Sequence, residues 1–507
     1  MSISLILEMS TSGHPDRAAV TSDGATLTYR EFADSVARAG SALQESGARH
    51  VVFLGGSGTD QAALLFASAY AGIPFSPVNY RLGKAQLTEL VDRIDGALVL
   101  VDPRYREAVS AVRAVVTGTD EFMAAVCART AEPLPPADVD PDAPAIFLFT
   151  SGTTSAPKGV VLRHSHLLSY VTGTVEFGSA TESDAALISV PPYHVAGTGT
   201  VLTNFYAGRR MIYLPDFEPR RWLDLARAEG ATSAMVVPTM LERIVRALPP
   251  GADAEVPTLK TLSYGGSRMP RPTLEAALAA FPKVGFVNAY GLTETSSTIA
   301  LLGPEDHRAA MESADPGVRA RLASIGRPVP GIEAEIRDPA GEPVPAGEQG
   351  ELWVRGDQVS GEYMGAASVL DDAGWFPTRD LAYQDADGYL FVVGRNDDTI
   401  IRGGENIAPA EIEDVLVAHP QVDSVAVVGV PDDHWGQAIV AVVVAEGGAD
   451  LDQDELRGYV RTKLRGSRTP DRIVFRPELP TTATGKILRK DIVAGIAATA
   501  GNGGEPC

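Results

Sequence analysis

The segment Phe147-Leu-Phe-Thr-Ser-Gly-Thr-Thr-Ser-Ala-Pro-Lys-Gly-Val160 constrains this chain more than any other. An apolar run opens it, as a buried strand would. Thr150, Ser151, Thr153 and Thr154 follow around Gly152, and then Pro157-Lys158-Gly159. Small residues let backbone N–H groups approach an anion, hydroxyls donate to its oxygens, and the lysine adds charge. It is not a Walker A loop, in which Gly directly precedes the lysine and Ser or Thr follows it. Ser, Thr and Gly also build ordinary turns, so alone the loop reads as an anion cradle.

A chain of 507 residues exceeds one ordinary core and predicts two or more domains. Ahead of the loop, helical spacing over Glu31–Gln44 and Asp60–Ala71 alternates with strand-like His50–Leu54 and Ala97–Val101. That alternation predicts α/β layers with mostly parallel sheets. Pro- and Asp-rich Glu132–Pro144 reads as a surface linker before a strand over Ala145–Phe149. Toward the C-terminus the pattern changes. Pro409 suits the first turn of a helix carrying Ile412, Val415, Leu416 and His419. Strand-like Ser424–Val430 and Ala438–Ala445 follow, then a charged helix over Asp452–Leu464. This predicts a small α+β unit, with a boundary near Gly394–Asp398 that divides the chain into 1–395 and 396–507.

The net charge of −22 disfavours nucleic acid or an anionic membrane as partner. Any phosphorylated ligand must then be held by local cations and backbone donors. Two cysteines, Cys127 and Cys507, make neither a disulfide framework nor a zinc site. Met1–Glu8 lacks the basic and apolar regions of a signal peptide. The uncharged stretch Gln61–Tyr80 contains Pro74 and Pro77 and reads as a buried helix turning into a strand. The expectation is a cytoplasmic protein without an integral membrane segment. No GxGxxG stands where a hydride-transfer enzyme would need it.

Further segments extend the pattern. In order they are Pro192-Tyr193-His194-Val195-Ala196-Gly197, Tyr264-Gly-Gly-Ser-Arg-Met-Pro270, Asn288-Ala-Tyr-Gly-Leu-Thr-Glu-Thr295 and Ser324-Ile-Gly-Arg-Pro-Val-Pro-Gly331. Then come Phe376-Pro-Thr-Arg-Asp380, Gly394-Arg-Asn-Asp-Asp398, Gly403-Gly-Glu-Asn-Ile-Ala-Pro-Ala-Glu-Ile-Glu413 and Thr484-Gly-Lys-Ile-Leu-Arg489. With the Thr150 loop, these closely resemble the signature segments of the acyl-adenylate-forming superfamily, which includes acyl-CoA synthetases, aryl-CoA ligases, peptide-synthetase adenylation domains and luciferases. The chain is most similar to the acyl- and aryl-CoA ligases. Two positions depart from the family pattern, which has glycine at Ser155 and at Arg379.

The resemblance implies a large N-terminal domain with a distorted β-barrel region, a mobile C-terminal domain, and a reaction with ATP, Mg²⁺ and coenzyme A. It implies ATP or AMP contacts from Thr150, Ser151, Gly152, Thr153, Thr154, Lys158, Gly266, Ser267, Asn288, Ala289, Tyr290, Gly291, Asp380 and Arg395. Tyr290 would lie against adenine, Asp380 would accept from the ribose hydroxyls, and Thr293 would donate to the α-phosphate. Glu294 would hold Mg²⁺, because one carboxylate and phosphate oxygens suffice for that ion. Lys486 would bridge the acid and the phosphates, and His194 would gate the acyl site. Tyr193, His194, Val195, Gly197, Pro238 and Gly265 would line the acyl pocket. Asp397 would be the hinge, and Gly403, Gly404, Trp435 and Arg81 would face CoA. The small residues of the pocket segments permit a bulky apolar acid. Arg457, Arg461 and Arg465 recur every four residues on one helix face. They could receive CoA phosphates or an acidic carrier protein. Arg379 is expected to alter the ribose edge or the domain interface.

Overall fold

The computed structural model describes residues 2–501 apart from 151–157, 403–404, 433–434, 450, 465 and 483–486. Strands β1 (Ala18–Ser22) and β2 (Ala25–Thr28) form a hairpin. Six strands then build one sheet: β3 (His50–Leu54), β4 (Phe75–Pro77), β5 (Ala97–Val101), β6 (Val115–Gly118), β7 (Pro144–Thr150) and β8 (Lys158–Arg163). Their order is β6-β5-β3-β4-β7-β8, parallel except for the last pair. Residues 151–157 therefore connect the arms of an antiparallel hairpin, and no helix follows them directly.

The second sheet contains β9 (Ala185–Ile188), β10 (Arg210–Tyr213), β11 (Ser233–Val236), β12 (Thr261–Gly265), β13 (Gly285–Leu292), β14 (Ser297–Leu302) and β15 (Arg327–Pro328). Its nine-stranded order, β15-β14-β13-β12-β11-β9-β10-β1-β2, is parallel from β13 to β1. Strand order reverses at β9, so the chain leaves β9 and β11 in opposite directions. Such a reversal opens a crevice outside the carboxyl ends of those strands. One core joins both sheets through helices Tyr29–Ser46, Thr59–Ala71 and Val195–Ala207. At its centre the Phe205 ring lies 4.9 Å from both Phe32 and Phe66. Burying each such ring contributes roughly 1.5–3 kcal/mol.

A third sheet holds β16 (Glu333–Arg337), β17 (Gly350–Arg355), β18 (Phe376–Gln384) and β19 (Leu390–Arg395) in sequence order, all antiparallel. This corrects the expected barrel: among the described residues the sheet is open, and β16 and β19 are its edges. Four strands are too few to close around filled side chains, which takes about eight.

The C-terminal part contains the two-stranded β20 (Ile400–Arg402) and β21 (Glu405–Ile407) and the sheet of β22 (Val422–Asp432), β23 (Gly436–Ala445) and β24 (Arg472–Phe475). Strand alternation divides β22 between two small cores. Val425 and Val427 join Ile412, Leu416 and Val460, while Ala426 and Val428 join Ile492 and Ile496. Pro409 does start a helix, Pro409–Val417, and the charged helix spans Gln453–Lys463. Arg489 binds both carboxylate oxygens of Glu413, at 2.6 and 3.0 Å, and donates to the Val427 carbonyl at 2.9 Å. Removing one partner of a largely buried pair strands the other charge. Arg489→Met is expected to destabilise this unit by about 2–4 kcal/mol in urea unfolding, and an unchanged midpoint would contradict that.

Two buried histidines make stability depend on pH. His164 Nδ1 accepts the Ile3 N–H at 3.2 Å, and His50 Nε2 lies 2.7 Å from Ser76 Oγ. Burial pushes each down to about 4 from the ordinary 6.5. The unfolded chain thus takes up these protons first as pH falls. Their contribution is complete above pH 6.5 and is lost as pH falls toward 4, each by about 1.4 kcal/mol per pH unit. Urea unfolding at pH 7.5 and 5 tests this; equal stabilities would contradict it.

Candidate active site

Three of the segments singled out by sequence follow the strands at the β9/β11 reversal. After β9 come Ser189, Val190 and then Tyr193 and His194, the latter preceding helix Val195–Ala207. After β11 come Val237 and Pro238, and β12 ends at Gly265, followed by Gly266 and Ser267. A Cβ on Gly265 would stand 2.2 Å from the Ala289 carbonyl, and one on Gly291 would stand 1.7 Å from that of Ser297. Only glycine lets β12, β13 and β14 approach this closely. Gly266 adopts φ +84°, which turns the chain away from the strand.

Tyr193 and His194 form the end of an aromatic row. Tyr80 stacks on Tyr105 at 4.7 Å and meets Tyr193 edge-on at 5.4 Å; Tyr193 and His194 are 4.6 Å apart. The Tyr193 hydroxyl and His194 Nε2 are buried and have no hydrogen-bond partner among the described residues. Burial, aided by the Arg81 charge, pushes His194 down to about 4, so the imidazole is neutral at pH 7. Arg81 thus stands on the His194 side of the site. Val195 and Gly197 open the helix that follows, and a Cβ on Gly197 would meet the Pro191 carbonyl at 2.4 Å.

At the end of β13, Asn288 Nδ2 donates to the Ser324 carbonyl at 3.0 Å, and Ala289 and Tyr290 extend toward the third sheet. The Tyr290 hydroxyl donates to Asp380 Oδ2. Arg395 Nε binds the other Asp380 oxygen at 2.7 Å and its NH1 donates to the Thr378 carbonyl at 3.2 Å. Burial and the Asp380 charge together raise the Tyr290 pKa. Asp380 is only 4% exposed, so the strand pair β18–β19 holds its carboxylate fixed between Tyr290 and Arg395.

Thr293 and Glu294 lie in the turn Thr293–Thr295. The Tyr363 hydroxyl donates to Glu294 Oε1 at 2.8 Å, and the Ser360 N–H donates to the Glu294 carbonyl at 2.8 Å. Tyr363 pairs with β8 through Val160, and Lys158 Nζ lies 5.5 Å from its ring centre. Tyr363 therefore links the lysine end of the hairpin to Glu294. Thr150 closes the hairpin opposite Lys158, its hydroxyl 3.4 Å from the Lys158 carbonyl. Ser151, Gly152, Thr153, Thr154, Gly403, Gly404 and Lys486 lie outside the described residues, as does the Asp397 side chain. Trp435 is 45% exposed on the C-terminal unit, with Arg402 4.9 Å over its ring.

Sequence reasoning had no signal for Tyr363 or Glu351, which lie outside every motif, and gave Thr378 no role although it stands in the Phe376–Asp380 segment. Glu351 accepts the Arg379 N–H at 3.0 Å and the Asn396 side chain at 3.2 Å, so it ties the bulge before Asp380 to the start of the hinge segment. Only strand pairing brings these residues together.

A fixed carboxylate, a tethered glutamate and a hairpin lysine beside a strand-order reversal suit a nucleotide-using α/β enzyme. Residues 7–364 match the AMP-binding enzyme family and residues 411–486 match its C-terminal domain. The chain belongs to the AMP-binding enzyme family. It is 35% identical to a feruloyl-CoA synthase of Amycolatopsis sp., covering 94% of this chain and 96% of that one. It is 34% identical to a fatty acid–[acyl-carrier-protein] ligase of Streptomyces coeruleorubidus, covering 94% and 93%. Among solved structures it resembles o-succinylbenzoate CoA synthetase of Bacillus subtilis in complex with its acyl-adenylate intermediate. That likeness has a TM-score of 0.83 and 27% identity, covering 96% of this chain and 97% of the other.

Proposed function

We propose that this chain is an AMP-forming acid–CoA ligase. A carboxylate oxygen attacks the α-phosphorus of ATP, the bond to the β-phosphate oxygen breaks, and pyrophosphate leaves. The thiol of CoA then attacks the acyl carbon, the acyl–phosphate bond breaks, and AMP leaves. The observation that carries this reading is the meeting of Tyr290, Asp380 and Arg395 with Glu294, Tyr363 and Lys158 around one switch-point crevice.

Asp380 suits a ribose diol, and the Tyr290 ring offers a face to adenine. Gly266, Ser267, Asn288, Ala289 and Gly291 shape the nucleotide edge, with Thr293 toward the α-phosphate. Glu294 and phosphate oxygens suit Mg²⁺, which neutralises phosphate charge when bound. Among the described residues no group of three His, Cys, Asp or Glu offers a fuller metal site. The hairpin of Thr150 and Lys158, with Ser151, Gly152, Thr153 and Thr154 in its loop, grips the outer phosphates. Lys486 bridges the two anions. No general base is needed, because the carboxylate is already a nucleophile. The acid lies between Tyr193, His194, Val195, Gly197, Pro238 and Gly265. The Tyr193 hydroxyl and His194 Nε2, without a hydrogen-bond partner among the described residues, suit an acid with one polar substituent on a largely apolar body.

Residues 1–395 form the adenylating domain and 396–507 a lid that turns about Asp397. Separate cores and a polar seam support this. Arg246 binds Asp423 at 2.7 Å, and Arg268 pairs with Asp414, all on the surface. Turning would bring Gly403, Gly404 and Trp435 to the thiol path, with Arg81 and, on the helix Gln453–Lys463, Arg457 and Arg461 receiving CoA phosphates; Arg465 lies beyond that helix and outside the described residues. The same proposal places the enzyme in the cytoplasm as a monomer or homodimer; among the described residues no helix is long and apolar enough to cross a membrane.

The test is acid-dependent ATP–pyrophosphate exchange over a panel of carboxylates, followed by assay of AMP and thioester after CoA is added. Absence of exchange with every acid would sink the proposal. A second reading, transfer to a carrier protein, has the support of the Streptomyces relative's name. Exchange without acyl-CoA would favour it.

A further inference from the structure

β17 and β18 lose register beside Asp380. Glu351 pairs with Leu381 and Trp353 with Pro377, so Thr378, Arg379 and Asp380 stand opposite Leu352 alone. Such a bulge re-aims side chains beside a site. Its central residue, Arg379, adopts φ +61°, and its N–H is fixed by Glu351 at 3.0 Å. Left-handed backbone is strained for every residue with a Cβ and is where glycine is ordinarily placed. An arginine here bears that strain, and its side chain is exposed rather than packed. Core packing therefore does not account for it.

The surroundings suggest what does. Arg379 lies between Thr378, whose carbonyl positions Arg395, and Asp380, whose carboxylate Arg395 binds. Its charge also reaches the Tyr363 hydroxyl, the group that holds Glu294. The neighbouring Arg395 is committed to Asp380, whereas the Arg379 guanidinium makes no ion pair among the described residues. In a chain of net −22 a guanidinium without an ion pair among the described residues, beside the Tyr363–Glu294 contact, is positive charge available to an anion.

We infer that Arg379 is a phosphate contact of the bound nucleotide, pairing with oxygens of the pyrophosphate leaving group during adenylation. This rests on the adenylation reading above. The guanidinium fork suits two phosphate oxygens at once. Charge passes to pyrophosphate as the bond to the α-phosphorus breaks, so a cation there favours the transition state. The strain at φ +61° persists because the side chain is used, a pattern found at functional sites.

Three variants of the full-length protein separate charge from strain. Arg379→Gly removes both, Arg379→Gln removes the charge alone, and Arg379→Lys keeps the charge without the fork. With a carboxylate that wild type turns over, Gly and Gln are each expected to lower kcat/KM for MgATP in pyrophosphate exchange about tenfold. Lys is expected to lie between them and wild type. The wild-type advantage is expected to shrink as salt is raised, because the contact is exposed. Arg379→Gly alone is expected to raise Tm, by about 2 °C. Thiolysis of supplied acyl-adenylate is expected to stay at the wild-type rate in all three. Wild-type exchange kinetics in both Gly and Gln would overturn the assignment, as would a loss confined to thiolysis. Failure of wild type to exchange with any acid would instead refute the adenylation reading itself.

Discussion

Lys486→Ala is expected to lower acid-dependent ATP–pyrophosphate exchange by about 10³-fold and to change thiolysis of supplied acyl-adenylate less than about threefold. In the first step a carboxylate must reach a polyphosphate. Two unit charges at about 4 Å interact by roughly 4 kcal/mol at an effective dielectric of 20. A cation between them offsets a barrier of that size, which corresponds to about three powers of ten in rate. In the second step the acyl carbon is uncharged, the adenylate keeps a single phosphate charge and the incoming group is a thiol, so the repulsion between a carboxylate and a polyphosphate is gone. The flanks of Lys486 are anchored: Leu488 N–H donates to the Pro480 carbonyl at 2.8 Å, and Arg489 is held by Glu413. Parallel assays of the two half-reactions check this. Equal loss in both would mean that one residue serves both steps, and the proposed alternation about Asp397 would fall.

Replacing Asp380 is the second large effect. Its carboxylate is 4% exposed and receives both the Tyr290 hydroxyl and Arg395 Nε. Alanine leaves a buried phenol and a guanidinium without their acceptor. Because the Arg395 side chain is 37% exposed and water can reach it, the stability loss is expected to be about 2 kcal/mol, below that of a fully buried pair. Binding suffers more, since the ribose loses a charged acceptor and Arg395 its anchor. Asp380→Ala is expected to lower kcat/KM for ATP about 10²-fold. Asp380→Asn keeps the shape and is expected to raise the KM for ATP about tenfold with a smaller stability change. Urea unfolding and exchange kinetics on both variants distinguish the roles. Wild-type KM in Asp380→Asn would make Asp380 a partner of Arg395 and Tyr290 only.

Much of the architecture was legible in short-range pattern. Helices over Glu31–Gln44 and Asp60–Ala71 and strands at His50–Leu54 and Ala97–Val101 stand where their periodicities put them, with ends shifted by a residue or two. These elements are buried on defined faces, so apolar spacing records them. That the third sheet stays open was not legible, because closure depends on how many strands pair and not on any one strand's pattern. The hairpin form of the Thr150 loop was equally hidden. Its composition suits a phosphate cradle at a helix end as well as one between two strands, and only the β7–β8 register decides between them.

What the sequence by itself determined was the chemistry: a hydroxyl-rich loop, a glutamate turn, an aspartate and a lysine motif in one order, whose residue types suit a nucleotide and an acid. Tertiary structure alone decided how these are held. Tyr290 and Asp380 are 90 positions apart, and Glu294 and Tyr363 are 69 apart, yet each pair shares a hydrogen bond. Arg379, a mere substitution in the sequence, became a strained residue at a bulge once β17 and β18 were paired. The physical reason is that backbone torsion and the partners of a buried polar group follow from strand register and sheet order, which no local stretch of residues encodes.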